Sequence, residues 1–343
     1  MTPKISKKQD KLRIAVNGLG RIGRVFLRAA WDNSAWEIVA ANSLSPAETY
    51  AHLLKYDSIY GIWDKEVTAK GNKLIIDGQA VPFFRVPDKA KLPWSKVKPD
   101  IVIDATGKYR GREEAVSHLK AGAQYVLVTA PAADLDATFV LGVNENNFDP
   151  RKHRAISVAS CTTVCAVLVV KVVEEKFGVE RGVINTIHAF TNDQNLHDSA
   201  HQDLRRARAA TQSIIPTSSG VSKTLDKFFP NLKGKFSAQS FRVPVIDCSL
   251  LNLVLELRRK TTDQELNRAF VRASKGELHD LLAASPLPLV SNDFKQDPHG
   301  ATVDLLSTKV VNGRLANIVA WYANEWGYVS QVVKLLENLA KKM

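Results

Sequence analysis

The first apolar run of the chain is short, LRIAV at 12–16, and gives way to NGLGRIGRVFLRAAWDN. Glycines crowd that turn, and Val25, Phe26, Ala29 and Ala30 then recur at helical spacing. WEIVAAN at 36–42 follows as a second short apolar run. Strand, glycine turn, helix and strand in this order predict a βαβ unit. The pattern recurs with IVIDATG at 101–107 as a buried strand, EEAVSHLKAGA as a helix ending near Gly122, and QYVLVTAP as a strand closed by Pro131. Near-continuous β-branched strands alternating with helices predict a parallel sheet covered on both faces. This first domain is expected to span 1–160.

The texture then changes. CTTVCAVLVVKVVEEKFG predicts a helix that Gly178 terminates. VINTIHAF reads as a strand, and FRVPVIDCSLLNLVLELRR at 241–259 as one long alternating run, the pattern of an antiparallel sheet with one covered face. A second domain is expected over 161–323. Residues 324–343 end in QVVKLLENLAKKM, an amphipathic helix expected to pack back on the first domain. No internal repeat or low-complexity segment interrupts this order.

Composition narrows the class. A chain of 343 residues is long for a single core. Its 45% hydrophobic and 24% charged residues are those of a soluble globular protein and argue against disorder. The formal net charge of +12 is scattered among acids, and only the tails, with Lys4, Lys7, Lys8 and Lys11 and then Lys341 and Lys342, are locally basic. With no zinc-finger, RRM or KH signature, the charge reads as solubility and attraction of phosphorylated small molecules, not as a nucleic-acid surface. No apolar stretch approaches the roughly 18–20 residues of a membrane span, and MTPKISKKQDK lacks the apolar centre of a signal peptide. Three cysteines, an odd number, point to reduced thiols and a cytoplasmic setting.

Two candidate sites emerge. Gly18, Gly20 and Gly23, with Arg21 and Ile22 between them, make a GxGxxG turn after a strand and at a helix start. Glycines suit a tight turn whose backbone must approach a pyrophosphate lying on the helix N-terminus. About 20 residues further on, NAD sites carry an Asp or Glu for the ribose hydroxyls. Here the count from Gly23 lands on Ser43, in AANSLSP, where no carboxylate stands. A serine hydroxyl can donate to a 2′-phosphate, which points to NADP or dual use; a locally varied loop with NAD still bound is the alternative.

The second candidate is Cys161, in the first turn of its helix, where orphan N–H groups and the dipole favour a thiolate. Cys165 and Cys248 read as core residues. His188, closing the strand in TIHAFTNDQ, could hold that sulfur as a thiolate near neutral pH and shuttle its proton. Spacing alone leaves a structural strand histidine equally open. His52, His118, His153, His197, His201, His279 and His299 show no metal-ligand spacing, so no metal site is expected.

NGLGRIGR, AHLLKYDS, SCTT, HAFTNDQ, DLRRARA, SIIP, FRVP and NEWGY together resemble the phosphorylating glyceraldehyde-3-phosphate dehydrogenases over essentially the whole length. The resemblance implies an α/β fold, with a Rossmann-type parallel-sheet domain and an α+β catalytic domain whose sheet is mainly antiparallel. It implies that Cys161 attacks the aldehyde to give a thiohemiacetal while His188 takes its proton, that hydride passes to the nicotinamide, and that inorganic phosphate cleaves the thioester to an acyl phosphate.

The substrate-phosphate pocket would comprise Thr191, Asp193 and Arg242, with Asp193 orienting the arginine. The inorganic-phosphate pocket would comprise Ser160, Arg206, Ser219 and Gly220. On pattern alone Arg206 within LRRARA could equally be a solvated basic face. Asn324 matches the residue that fixes the nicotinamide carboxamide, and Thr106 and Thr129 fall at cofactor-facing strand ends. A homotetramer is implied, with the segment from about 192 to 215 near a neighbour's cofactor site.

Departures from the family pattern also carry information. Val164 stands where Asn is usual, and Ala323 where Asp is common. NAD-using members have an acid at the position of Ser43 and Leu-Pro at Ser199 and Ala200, whereas photosynthetic NADP-using relatives carry small or hydroxylated residues at that pair. Arg85 matches an arginine that approaches the 2′-phosphate in those relatives. NADP preference or dual use with NAD is therefore expected. Erythrose-4-phosphate dehydrogenase, which LPLVSNDFKQDPHGATVD resembles, is the alternative activity; Thr191 and the SSG of Ser218–Gly220 count against it.

Overall fold

The computed structural model describes residues 11–108, 111–132 and 134–343; the expected basic positions Lys4, Lys7 and Lys8 lie outside them. The first sheet has nine strands in the order 137–138, 155–157, 125–128, 101–104, 12–17, 36–42, 79–84, 73–76, 67–69. The first seven run parallel, and the last two turn back antiparallel at one edge. The strand Leu12–Asn17 lies between Trp36–Asn42 and Ile101–Asp104, so the chain leaves it in opposite directions. That reversal opens a crevice beyond its carboxyl end, the usual ligand position in such sheets. All four residues of Ile101–Asp104 are buried, as a strand covered on both faces requires.

The second sheet has seven strands in the order 215–218, 236–243, 179–189, 249–257, 315–322, 301–311, 282–285. Its pairing is mainly antiparallel, with two parallel contacts. Ser249–Leu257 alternates strictly between buried and half-buried positions, the mark of one covered face. The alternating run read at 241–259 is two strands. Phe236–Val243 pairs parallel with Val179–Ala189, and Ser249–Leu257 pairs antiparallel with the opposite edge of that same strand. Pro244 has no N–H to continue a ladder, and Cys248 takes a left-handed φ of 64°, so the chain reverses between them.

The helix Cys161–Phe177 buries 12 of its 17 residues and packs on the second sheet. An all-round apolar sequence forms a stable helix only when enclosed in this way. Each fully buried valine or leucine there, such as Val167, Leu168 or Val170, contributes roughly 1.5–3 kcal/mol of burial. Val164 is among these buried residues, and Ala323 belongs to a small cluster with Cys248 and Phe294. The last helix, Trp326–Ala340, packs against Arg21–Ala30, with Asn33 donating to Glu337 at 2.6 Å. No helix among the described residues is long and apolar enough to cross a membrane.

Candidate active site

The three glycines of the first turn act in three ways. Gly18 has a φ of 96°, and a Cβ there would lie 2.8 Å from the Thr106 nitrogen. A Cβ on Gly23 would lie 1.9 Å from the Gly18 carbonyl oxygen, so helix and turn pack without space for one. Gly20 has nothing within 4 Å, leaving its backbone open to the crevice at the N-terminus of the helix Arg21–Ala30. A pyrophosphate needs that combination of a tight turn, a bare backbone and free N–H groups.

The crevice encloses about 340 Å³ and is lined by Gly18, Gly20, Ser43, Tyr50, Lys89, Thr106 and their neighbours. Thr106 donates from its N–H and hydroxyl to Asp104, and the Thr129 hydroxyl donates to the Asp104 carbonyl at 3.1 Å. Arg85 is exposed and donates from Nε to the Leu44 carbonyl at 3.2 Å, beside Ser43. The residues present fit a nicotinamide dinucleotide.

Arg21 contributes only backbone here. Its guanidinium is held by Asp57 at 2.5 Å and Glu325 at 2.6 Å, while Ile22 packs into the core. That clasp brings Asn324, next to Glu325, to the glycine turn. Asn324 is buried and accepts from the Ser249 hydroxyl at 3.3 Å. Ser199 and Ala200 do not line the crevice; both lie on an exposed loop, where the Ser199 N–H donates to Ala207.

Cys161 follows a forced turn. Ala159, a non-glycine residue with φ 59°, receives a hydrogen bond from Tyr328 on its carbonyl and swings the chain from the strand Ala155–Ser157 into the helix. Ser160 caps that helix by accepting from the Thr163 N–H at 3.2 Å, a contribution of about 1 kcal/mol.

Cys161 Sγ then sits 3.8 Å from His188 Nε2. His188 Nδ1 lies 2.6 Å from the Ala189 carbonyl, which only accepts, and 3.1 Å from Arg242 Nη1, which only donates; the shorter contact assigns the proton to Nδ1, so that Nε2 turns its lone pair to the sulfur and the guanidinium contact is not a hydrogen bond. Tyr322, buried, bonds Thr162 beside the cysteine at 2.9 Å and Thr186 near the histidine at 2.7 Å, tying the two segments together.

The charges differ from expectation in one respect. Burial pushes the Cys161 thiol up, against hydrogen bonds from Thr162 and the positive charge of Arg242. Burial and the repulsion of Arg242 and Arg206 bring His188 down to about 3. Both shifts run against the standing thiolate expected from the helix start, which the dipole and the charge of Arg242 favour.

Arg242 Nη1 donates to the Ala189 carbonyl at 3.2 Å and to Thr191 at 3.4 Å. Asp193, expected to orient it, acts on it only as a nearby charge, with no hydrogen bond between the two among the described residues. That carboxylate pairs with Arg206, whose Nε donates to Thr217 at 2.9 Å. The two arginines sit close enough to repel each other, and Asp193 reaches Arg206 because both belong to one exposed loop. Ser219 and Gly220 stand at the start of the helix Val221–Phe228, with the Val221 N–H donating to Ser219.

Sequence reasoning missed Tyr50, Lys89, Gln194 and Tyr322. Only Tyr322 carried a signal, as a hydroxyl-bearing ring in an apolar strand.

A crevice for a dinucleotide and a thiol facing an unprotonated imidazole beside two arginines can be compared with known proteins. The sequence model of the glyceraldehyde 3-phosphate dehydrogenase NAD binding domain matches residues 12–112, and that of the C-terminal domain matches residues 160–324. The chain belongs to the glyceraldehyde-3-phosphate dehydrogenase family.

It is 46% identical to glyceraldehyde-3-phosphate dehydrogenase 2 of Bacillus subtilis over 333 residues, covering 97% of this chain and 98% of the relative. The Geobacillus stearothermophilus enzyme is 45% identical, covering 96% and 99%. Glyceraldehyde-3-phosphate dehydrogenase 2 of Trichormus variabilis is 42% identical, with the same coverage. Nothing in these matches favours erythrose-4-phosphate dehydrogenase. Among the described residues no group of His, Cys, Asp and Glu could hold a metal ion.

Proposed function

We propose that this chain oxidises D-glyceraldehyde 3-phosphate with inorganic phosphate to 1,3-bisphosphoglycerate in the cytoplasm, using NADP in preference to NAD or both. The observation that carries the reading is the Cys161–His188 pair, with the lone pair of Nε2 aimed at Sγ. The thiol proton passes to His188 Nε2 and the sulfur adds to the aldehyde carbon. Arg242 and Thr191 hold the substrate phosphate; Arg206, Ser160, Ser219 and Gly220 hold the incoming phosphate, and Asp193 positions Arg206.

When bound, the cofactor supplies the hydride acceptor. Gly18, Gly20, Thr106, Thr129 and Asn324 hold it, with the Arg21 backbone at the helix start. Loss of hydride from the thiohemiacetal leaves a thioester on Cys161. Phosphate oxygen attacks that carbonyl, the sulfur departs, and the bound energy stays in the acyl phosphate.

The absence of an acid at Ser43 and the exposed guanidinium of Arg85 support NADP use. Leu204 at 79% and Ile214 at 71% exposure support a homotetramer in which the loop carrying Ser199 and Ala200 is covered by a neighbour.

The test is the initial rate of reduced-cofactor formation from glyceraldehyde 3-phosphate, with NADP or NAD and with or without phosphate. A phosphate-dependent rate that favours NADP, and falls at least ~10⁴-fold in Cys161→Ser, is expected. A phosphate-independent rate, or one seen only with erythrose 4-phosphate, would overturn the reading.

A further inference from the structure

Ser43, the position where a carboxylate would meet the ribose, has its hydroxyl already spent. The residue is buried, its Oγ accepts from the Leu19 N–H at 3.4 Å, and it donates to the Tyr50 oxygen at 2.6 Å. Tyr50 stands on the helix Ala47–Lys55, lines the same crevice and rests its ring on Phe83, with centroids 5.7 Å apart. Although burial opposes it, Ser43, Ser45 and the nearby backbone of Ser45 and Leu44 hold the phenol below its ordinary pKa. The 2.6 Å bond from Ser43 aims that oxygen within the crevice wall. A hydroxyl that accepts a hydrogen bond becomes a stronger donor.

The charges around this turn favour an anion. Arg85 is tied by Nε to the Leu44 carbonyl and keeps its outer nitrogens exposed. Of the two lysines that line the crevice, Lys89 is taken up by Asp104 at 2.7 Å and Glu114 at 2.9 Å, and Lys108 is exposed beside Thr106. A 2′-phosphate offers only acceptor oxygens and negative charge, which match an activated phenol and a guanidinium. A 2′-hydroxyl both donates and accepts, and gains less from the same partners.

We infer that Tyr50, not Ser43, is the residue through which the crevice distinguishes a 2′-phosphate from a 2′-hydroxyl, with Arg85 as its charged partner. The inference rests on the crevice being the nicotinamide dinucleotide site proposed above. Ser43 acts through Tyr50, by polarising and aiming its hydroxyl.

The experiment is a titration of the full-length protein with NADPH and with NADH, followed by quenching of tryptophan fluorescence. Tyr50→Phe keeps the ring on Phe83 and removes only the hydroxyl. Its NADPH dissociation constant should rise about tenfold, while that for NADH should change less than about twofold. Arg85→Gln should weaken NADPH similarly, and the double variant should lose less than the product of the single losses, because the groups share one phosphate.

Should Tyr50→Phe fail to fold, Ser43→Ala tests the same chain of bonds and should weaken NADPH alone by about threefold. Equal weakening of both cofactors, or unchanged NADPH binding, would overturn the inference and leave the dehydrogenase reading intact. A wild type that bound neither cofactor would overturn the crevice assignment itself.

Discussion

Two buried polar clusters flank the reaction centre, and they differ in whether their hydrogen-bonding capacity is used. Under the glycine turn, Asp104 accepts from Thr106, Lys89 and His118, and His118 in turn accepts from the Trp94 indole at 2.9 Å. Burial alone would raise that carboxyl; the His118 bond and the Lys89 charge instead hold it well below the usual carboxylate range. Around Cys161 the buried Arg242 Nε and Gln194 Nε2 find no partner among the described residues. Each such donor costs about 1–3 kcal/mol. The satisfied cluster is scaffold for a crevice of fixed shape, whereas the unsatisfied one has its donors ready for an anion that arrives and leaves.

That contrast can be broken most directly at its two centres. Arg242→Leu should raise KM for glyceraldehyde 3-phosphate about a hundredfold while leaving Tm unchanged or higher, because it removes a buried, incompletely paired charge. Asp104→Ala should do the reverse, costing about 3 kcal/mol of unfolding free energy in denaturant titration because Lys89 and His118 lose their shared acceptor. Its turnover per folded molecule should stay within a few-fold of wild type. If both variants lose stability alike, the division into scaffold and site fails.

The third prediction sharpens the electrostatics of the thiol pocket. Since burial holds the Cys161 thiol above its ordinary value, the reactive thiolate is gained only as pH rises. Alkylation of the cofactor-free protein by iodoacetamide should climb about tenfold per unit between pH 6 and 8. A plateau beginning near pH 6 would mean that a thiolate–imidazolium pair already stands in the empty pocket.

The same two regions were unequally legible in the sequence. The crevice is built by neighbours in the chain, so Gly18, Gly20 and Gly23 announced both its turn and its ligand class. The thiol pocket is assembled from 160–162, 186–194, 206–220, 242 and 322, segments joined only by folding, and spacing left His188 undecided. The family resemblance named its members but not their partners, which is why Asp193 was expected on Arg242 instead of Arg206.

The two strands joined through Pro244 show another limit. Alternation of apolar residues continues through 241–259 although the chain doubles back, because each strand buries one face whichever neighbour it pairs with. The proline was the visible signal. Ser43 marks a third limit: its position was legible from a residue count, while the bond that spends its hydroxyl on Tyr50 was not.

The contact between the first and last helices bears on how the protein is made. A ribosome delivers Arg21–Ala30 early, with Val25, Phe26 and Leu27 bare on its apolar face. Part of its cover, Trp326–Ala340, and the Glu325 that clasps Arg21 come more than 300 residues later in the chain, Arg21 and Glu325 being 304 positions apart. The domain synthesised first therefore cannot finish its core until that distant helix has been made. A chain interrupted before Glu325 would leave the half already made with its first helix uncovered.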